Sequence, residues 1–66
     1  MTVVVNGTPL EVPDSTTLTD AVARFTPAAR GVAVAVNGSV VPRGRWAETV
    51  LTEADEVEVL TAVQGG

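Results

Sequence analysis

Apolar positions along this chain change period twice, and the changes divide it into elements. Val3, Val4 and Val5 run into Asn6-Gly7, a pair that supplies the positive φ values of a type I′ hairpin turn. Leu10 and Val12 then alternate with Pro9, Glu11 and Pro13, the period-two pattern of a strand with one wet face. The two prolines donate no backbone hydrogen bond, which predicts an edge position for that strand. Asp14-Ser15-Thr16-Thr17 breaks the alternation. Thr17 is a good N-cap, with Asp20 in the place where a capping box carries Glu or Gln. Leu18, Ala21, Val22 and Phe25 follow at i, i+3, i+4 and i+7, one apolar stripe along a helix, with Thr19, Asp20 and Arg24 opposite. Thr26-Pro27 ends the helix, because the residue before a proline is biased out of the α region, and Gly31 closes the loop after it.

Period two then returns. Val32 to Val36 is apolar on both faces, which predicts a strand buried on both sides or covered by the helix, and it runs into a second Asn-Gly turn at Asn37-Gly38. Val40-Val41 reads as a short return strand stopped by Pro42. Arg43 to Ala47 is irregular or a single short turn, and Glu48 to Leu51 a brief extended piece. Thr52-Glu53-Ala54-Asp55 must turn without Gly or Pro. Val57 and Val59 alternate with Glu56 and Glu58 in a last strand that runs through Leu60 to Val63. The order β-β-α-β-β-β predicts an α+β fold of the β-grasp type, a mixed sheet of four to five strands with one helix packed on one face. First and last strands lie parallel at its centre, joined by the long crossover that parallel neighbours need. Residues 1–63 are expected to form a single domain, and 64–66 a flexible tail.

Composition narrows what such a domain can do. The chain has 66 residues, 45% of them hydrophobic, with mean hydropathy +0.32; a core this thin depends on every apolar position. Cysteine, histidine and lysine are all absent. That excludes a disulfide scaffold, a thiol nucleophile, an imidazole base and the usual zinc sets. It also excludes a lysine Schiff base and self-linkage through lysine. A net charge of −4 and a pI near 4.3 argue against nucleic acid or an anionic membrane as partner, since both demand a basic face. No apolar run is long enough to span a bilayer, and the N-terminus lacks the pattern of a secretory signal, so a cytoplasmic protein is expected.

No catalytic set emerges from what remains. Glu48, Glu53, Asp55, Glu56 and Glu58 crowd the C-terminal third, but the face shared by Glu56 and Glu58 is expected to be solvated, and no metal site is assigned. Arg43 and Arg45 lack a glycine-rich phosphate loop beside them, and Trp46 reads as a core lid or an interface plug. The chemistry left is that of the tail, Val63-Gln64-Gly65-Gly66. As a chain terminus it offers a free carboxylate, ionised at neutral pH and a poor acyl donor until a good leaving group is attached. Two glycines let the backbone enter a narrow enzyme site without Cβ clashes, and the last four residues reach roughly 13 Å when extended. If Val3, Val5, Val57 and Val59 face the helix, Val4 and Leu60 point the other way on adjacent central strands. With Glu58 at the rim they form a candidate docking patch. Fraying accounts equally for an isolated diglycine, and scattered surface aliphatics are ordinary.

The whole chain resembles the sulfur-carrier proteins of thiamine biosynthesis, which are ubiquitin-like β-grasp proteins of about this length. The early Val-Asn-Gly hairpin, Leu18, the block Val36-Asn37-Gly38-Ser39-Val40-Val41-Pro42-Arg43, Trp46, Leu51, Asp55 and the terminal Gly65-Gly66 carry the resemblance. Two positions depart from it: Ala54 stands where the family often has glycine, and Gln64 where many members have a third glycine or an alanine. The resemblance implies that the chain is no enzyme but a protein co-substrate with no bound cofactor. An adenylating enzyme would use ATP and magnesium to activate Gly66, and a persulfide donor such as a cysteine desulfurase would supply sulfur to give a thiocarboxylate. Thiazole synthase would then consume that sulfur, with Val63, Gln64 and Gly65 entering the partner's active site. Three alternatives stay open: the carrier subunit of molybdopterin synthase, a modifier joined to target lysines, and a non-covalent β-grasp interaction module whose tail is idle.

Overall fold

The computed structural model describes residues 1–26 and 31–61. Its first hairpin pairs β1 (Thr2–Val5) with β2 (Thr8–Glu11) antiparallel. The turn between them has φ 49° at Asn6 and 83° at Gly7, both positive, as a type I′ turn requires. The second Asn-Gly repeats this, with φ 50° at Asn37 and 86° at Gly38, and joins β3 (Val32–Val36) to β4 (Ser39–Val40). Between the hairpins runs α1 (Leu18–Phe25). The Thr17 hydroxyl accepts the Asp20 N–H at 3.3 Å and so caps it, satisfying one of the first-turn donors that lack a partner within the helix. At the other end Thr26 is extended, φ −147° and ψ 135°, as its position before Pro27 dictates.

The five strands form one mixed sheet in the order β2-β1-β5-β3-β4. The last strand, β5 (Glu56–Thr61), lies parallel to β1 and antiparallel to β3, so it occupies the centre. The proline-bearing β2 is at an edge, as predicted. This is the β-grasp arrangement. Alternation selects the core: Val3, Val5, Val34, Val57 and Val59 turn to the helix side and meet Leu18, Ala21 and Val22. Leu18 and Val3 are completely buried, each contributing ~1.5–3 kcal/mol of apolar burial. A 3₁₀ turn over Arg43–Glu48 lowers Trp46 onto this core. There the indole N–H donates to the Val41 carbonyl at 2.9 Å, which settles the tryptophan as core.

One expectation changes. Phe25 is 44% exposed, so the helical stripe is buried only through Val22; the helix ends at Phe25, which lines a cleft with Val5, Thr8, Pro9 and Leu10. Of the two arrangements open to β3, cover by the helix holds: Val34 is buried in the core with the helix residues and Ala33 is exposed, because among the described residues no second layer covers the far face of the sheet. The brief extended piece before Leu51 is present and stands outside the sheet order. Val50 bridges antiparallel to Thr17, flanked by Leu18 N–H to Thr49 carbonyl at 2.8 Å and Leu51 N–H to Thr16 carbonyl at 2.9 Å. That bridge ties the start of the helix to the segment leading towards β5.

Candidate functional site

β5 is the element that leads into the C-terminal residues, and its neighbours hold it from both sides. Its entry is a turn closed by Asp55. The carboxylate accepts the Thr52 N–H at 2.8 Å, the Thr52 hydroxyl at 3.0 Å and the Asn37 side-chain amide at 3.0 Å. Desolvation is the largest single influence on this carboxyl and pushes its pKa up, but the three hydrogen bonds together outweigh it and hold the group below its ordinary 3.8. Ala54, with φ 69°, sits in the left-handed region within this turn. Its N–H donates to the Thr2 carbonyl at 2.7 Å.

The open face of the sheet is where sequence reasoning placed a docking patch, and register decides what that face contains. Glu56, Glu58 and Leu60 point outward from β5, alternating with the buried Val57 and Val59. Val4 is half-buried, opposite Pro9 on β2 and Glu56 on β5. Leu60 lies four residues further along β5 than Glu56, about 13 Å at the rise of a strand. Val4 and Leu60 therefore share a face and occupy adjacent strands without touching. Leu60 instead stands opposite Ala33, and Glu58 opposite Ala35, which pairs onward with Val40 on β4. Leu60 is 70% and Val40 76% exposed, so the apolar part of this face is Leu60, Ala33, Ala35 and Val40, with Glu58 inside it.

Sequence reasoning missed Val40. The signal was present: a two-residue type I′ loop fixes register, which sets Val40 opposite Ala35 and on the same face. Charge on this face has one sign. Glu11, Glu56 and Glu58 lie on its strands, and the described strands carry no arginine. Arg24 reaches from the helix to the Glu11 carbonyl at 3.2 Å. Arg45 pairs with Glu48 at 3.0 Å on the 3₁₀ turn, both groups well exposed, where such a pair contributes ~0–1 kcal/mol. Arg43 is exposed beside them.

Two clefts lined by described residues lie beside the helix. One cleft of about 220 Å³ is lined by Val5, Thr8, Pro9, Leu10, Arg24 and Phe25. Another of about 340 Å³ is lined by Pro13, Thr16, Asp20, Ala23 and Arg24, and the Thr16 hydroxyl within it donates to the Pro13 carbonyl at 2.6 Å. Among the described residues no three carboxylates gather as a metal site, and no helix is long and apolar enough to cross a membrane. Val63, Gln64, Gly65 and Gly66 lie outside the described residues.

Comparison with known proteins bears on the whole chain. The model of the ThiS family matches residues 3–66. A crystal structure of the thiamine biosynthesis protein (ThiS) from Geobacter metallireducens is similar at 32% identity, with TM-score 0.83 and 100% of both chains covered. A solution structure of a thiamine biosynthesis protein from the same organism is similar at 30% identity, with TM-score 0.80, covering 100% of this chain and 88% of that one. No curated protein sequence matches.

Proposed function

The chain belongs to the ThiS family, and on that premise we propose that it is a sulfur carrier whose reacting group is the carboxylate of Gly66. The observation that carries this reading is that the family match runs through Gly66 and so includes the terminal diglycine. The described part of β5 ends at Thr61, leaving only Ala62, Val63 and Gln64 before the glycines. Support also comes from the two solved relatives, which are described as thiamine biosynthesis proteins.

Chemistry follows from what a carboxylate lacks. An adenylating partner, using ATP and magnesium, joins the Gly66 carboxylate to the α-phosphate and releases pyrophosphate, which turns a poor acyl donor into a mixed anhydride. The outer sulfur of a persulfide, of the kind a cysteine desulfurase supplies, attacks the acyl carbon and AMP leaves. A thiol then cleaves the sulfur–sulfur bond and leaves a thiocarboxylate on Gly66. Thiazole synthase takes that sulfur, and hydrolysis returns the carboxylate. The chain is a cytoplasmic co-substrate in this cycle, and partner enzymes perform the catalysis. Docking falls to the open face, with Leu60 and Glu58 joined by Val40, and Val4 at the far end of the patch. Gly65, Gln64 and Val63 thread the partner's site.

Rescue of growth tests the pathway. Expression in a strain lacking its own thiazole-pathway carrier restores thiamine-independent growth, and a chain without Gly65-Gly66 does not. Rescue of a molybdopterin-carrier deletion alone, or rescue that survives loss of the diglycine, overturns the proposal.

A further inference from the structure

β1 stops short of β5. The last main-chain contact between them is the Asn6 N–H to the Val57 carbonyl at 2.9 Å, and the chain then turns away through Asn6-Gly7 while β5 continues to Thr61. In a parallel ladder the residues that face one neighbour alternate, so Val59 is the next to present both its N–H and its carbonyl towards β1. No strand residue is there to meet them. The Asn6 side chain meets them instead: its Oδ1 accepts the Val59 N–H at 2.8 Å, and its Nδ2 donates to the Val59 carbonyl at 3.1 Å. A carboxamide carries one acceptor and one donor group in a plane, as a peptide does, so Asn6 adds one more rung to a ladder its own backbone has left. Asparagine also tolerates the positive φ of the turn. Beyond this rung, among the described residues, β5 pairs with β3, through Ala33 opposite Leu60 and Val32 opposite Thr61.

The opposite end of β5 has a matching device. The Asn37 N–H donates to the Glu56 carbonyl at 2.7 Å, its Oδ1 accepts the Glu56 N–H at 2.9 Å, and its Nδ2 reaches Asp55. Two asparagines of two similar turns therefore grip one strand. Asn37 holds its start, from the β3 side. Asn6 holds it at Val59, from the β1 side and close to the C-terminal residues.

We propose that Asn6 is a positioning residue for the reaction at Gly66: its carboxamide makes the last two-sided hold on β5 and so fixes the base from which the reacting tail reaches the partner's active site. This role rests on the sulfur-carrier reading. Since docking uses the open face, loss of the rung leaves binding intact and misplaces the tail, which separates it from a general loss of structure. Displacing a reacting group by about 1 Å can cost 100-fold in rate.

The test uses Asn6→Gly and Asn37→Gly. Glycine keeps both turns, whose φ values are positive, and removes only the grip. Amide exchange first shows whether the grip is released: in Asn6→Gly the Val59 amide loses protection, and in Asn37→Gly the Glu56 amide does. The activity readout is carrier-dependent pyrophosphate–ATP exchange with the adenylating enzyme of thiazole synthesis, at temperatures where every variant is folded. For Asn6→Gly, kcat falls on the order of 10-fold or more while KM for the carrier stays within about twofold, the signature of an interaction used only in the reaction. For Asn37→Gly both constants stay at wild type. Asn6→Asp keeps the shape but sets a carboxylate oxygen against the Val59 carbonyl, and behaves as Asn6→Gly. Equal losses of kcat in Asn6→Gly and Asn37→Gly overturn the role, as does an unchanged kcat or a Val59 amide that stays protected. An inert wild type overturns the sulfur-carrier reading itself.

Discussion

Ala54 occupies the left-handed region, φ 69°, in the turn that launches β5. An L-residue with a Cβ pays roughly 1–2 kcal/mol there, because the Cβ crowds the following carbonyl. Replacing it with glycine removes that cost and adds backbone freedom to the unfolded chain, which takes back ~0.4–1 kcal/mol. Nothing else is lost. Ala54 is exposed, so its methyl group packs little, and its N–H to the Thr2 carbonyl at 2.7 Å belongs to the backbone. The net expectation is stabilisation by ~0.5–1 kcal/mol, against a total of ~3–10 kcal/mol for a domain of this length. In so small a domain that raises Tm by about 2–8 °C, read by circular-dichroism melting at fixed pH and protein concentration. Ala54→Val serves as the opposite arm and lowers Tm, since a β-branched residue fits the left-handed region worst. A lower or unchanged Tm in Ala54→Gly would refute the reasoning. It would mean that the methyl carries packing, or that the turn can leave the left-handed region without cost.

Other perturbations probe the remaining links. Asp55 has a lowered folded pKa, so its contribution is full above the ordinary value near 3.8 and is lost as pH falls through the lower folded value. The urea midpoint of wild type should therefore fall more steeply below about pH 4 than that of Asp55→Ala. Leu18 is completely buried, and Leu18→Ala costs about 2–5 kcal/mol, enough to leave much of the population unfolded in a urea titration at room temperature. Leu60 is 70% exposed, so Leu60→Asp should leave stability within about 0.5 kcal/mol of wild type. In the exchange assay it should raise the carrier's KM with kcat unchanged, because it weakens docking rather than reaction.

The fold was legible largely because its signals were redundant. Each Asn-Gly pair lay between apolar runs, Thr17 and Pro27 bracketed the helical stripe, and Val57 and Val59 matched Val3 and Val5 in period. The parts that escaped are those that depend on register or on what lies above a face. Alternation cannot say that Ala33 meets solvent, since an alanine fits a tight interface and an open surface equally well. It placed Val4 and Leu60 on one face but could not see the four-residue offset that separates them along β5. In the sequence the asparagines read as turn formers, which they are. Their grip on β5 is a second use of the same side chains, and a pattern already explained by the turn offers no reason to look for it. In the sequence Ala54 stands out as a departure from a common glycine in a turn without Gly or Pro. Its strain shows in a φ angle, and no composition or periodicity reports one.

Intact mass spectrometry of the whole chain tests the central claim most directly. The protein is incubated with ATP, magnesium, the adenylating enzyme, a cysteine desulfurase with cysteine, and a thiol. The sulfur-carrier account predicts a mass gain equal to exchange of one oxygen for sulfur, confined by fragmentation to Gly66 and absent when ATP is withheld. An unchanged mass, or the same gain in a chain that lacks Gly66, would contradict it.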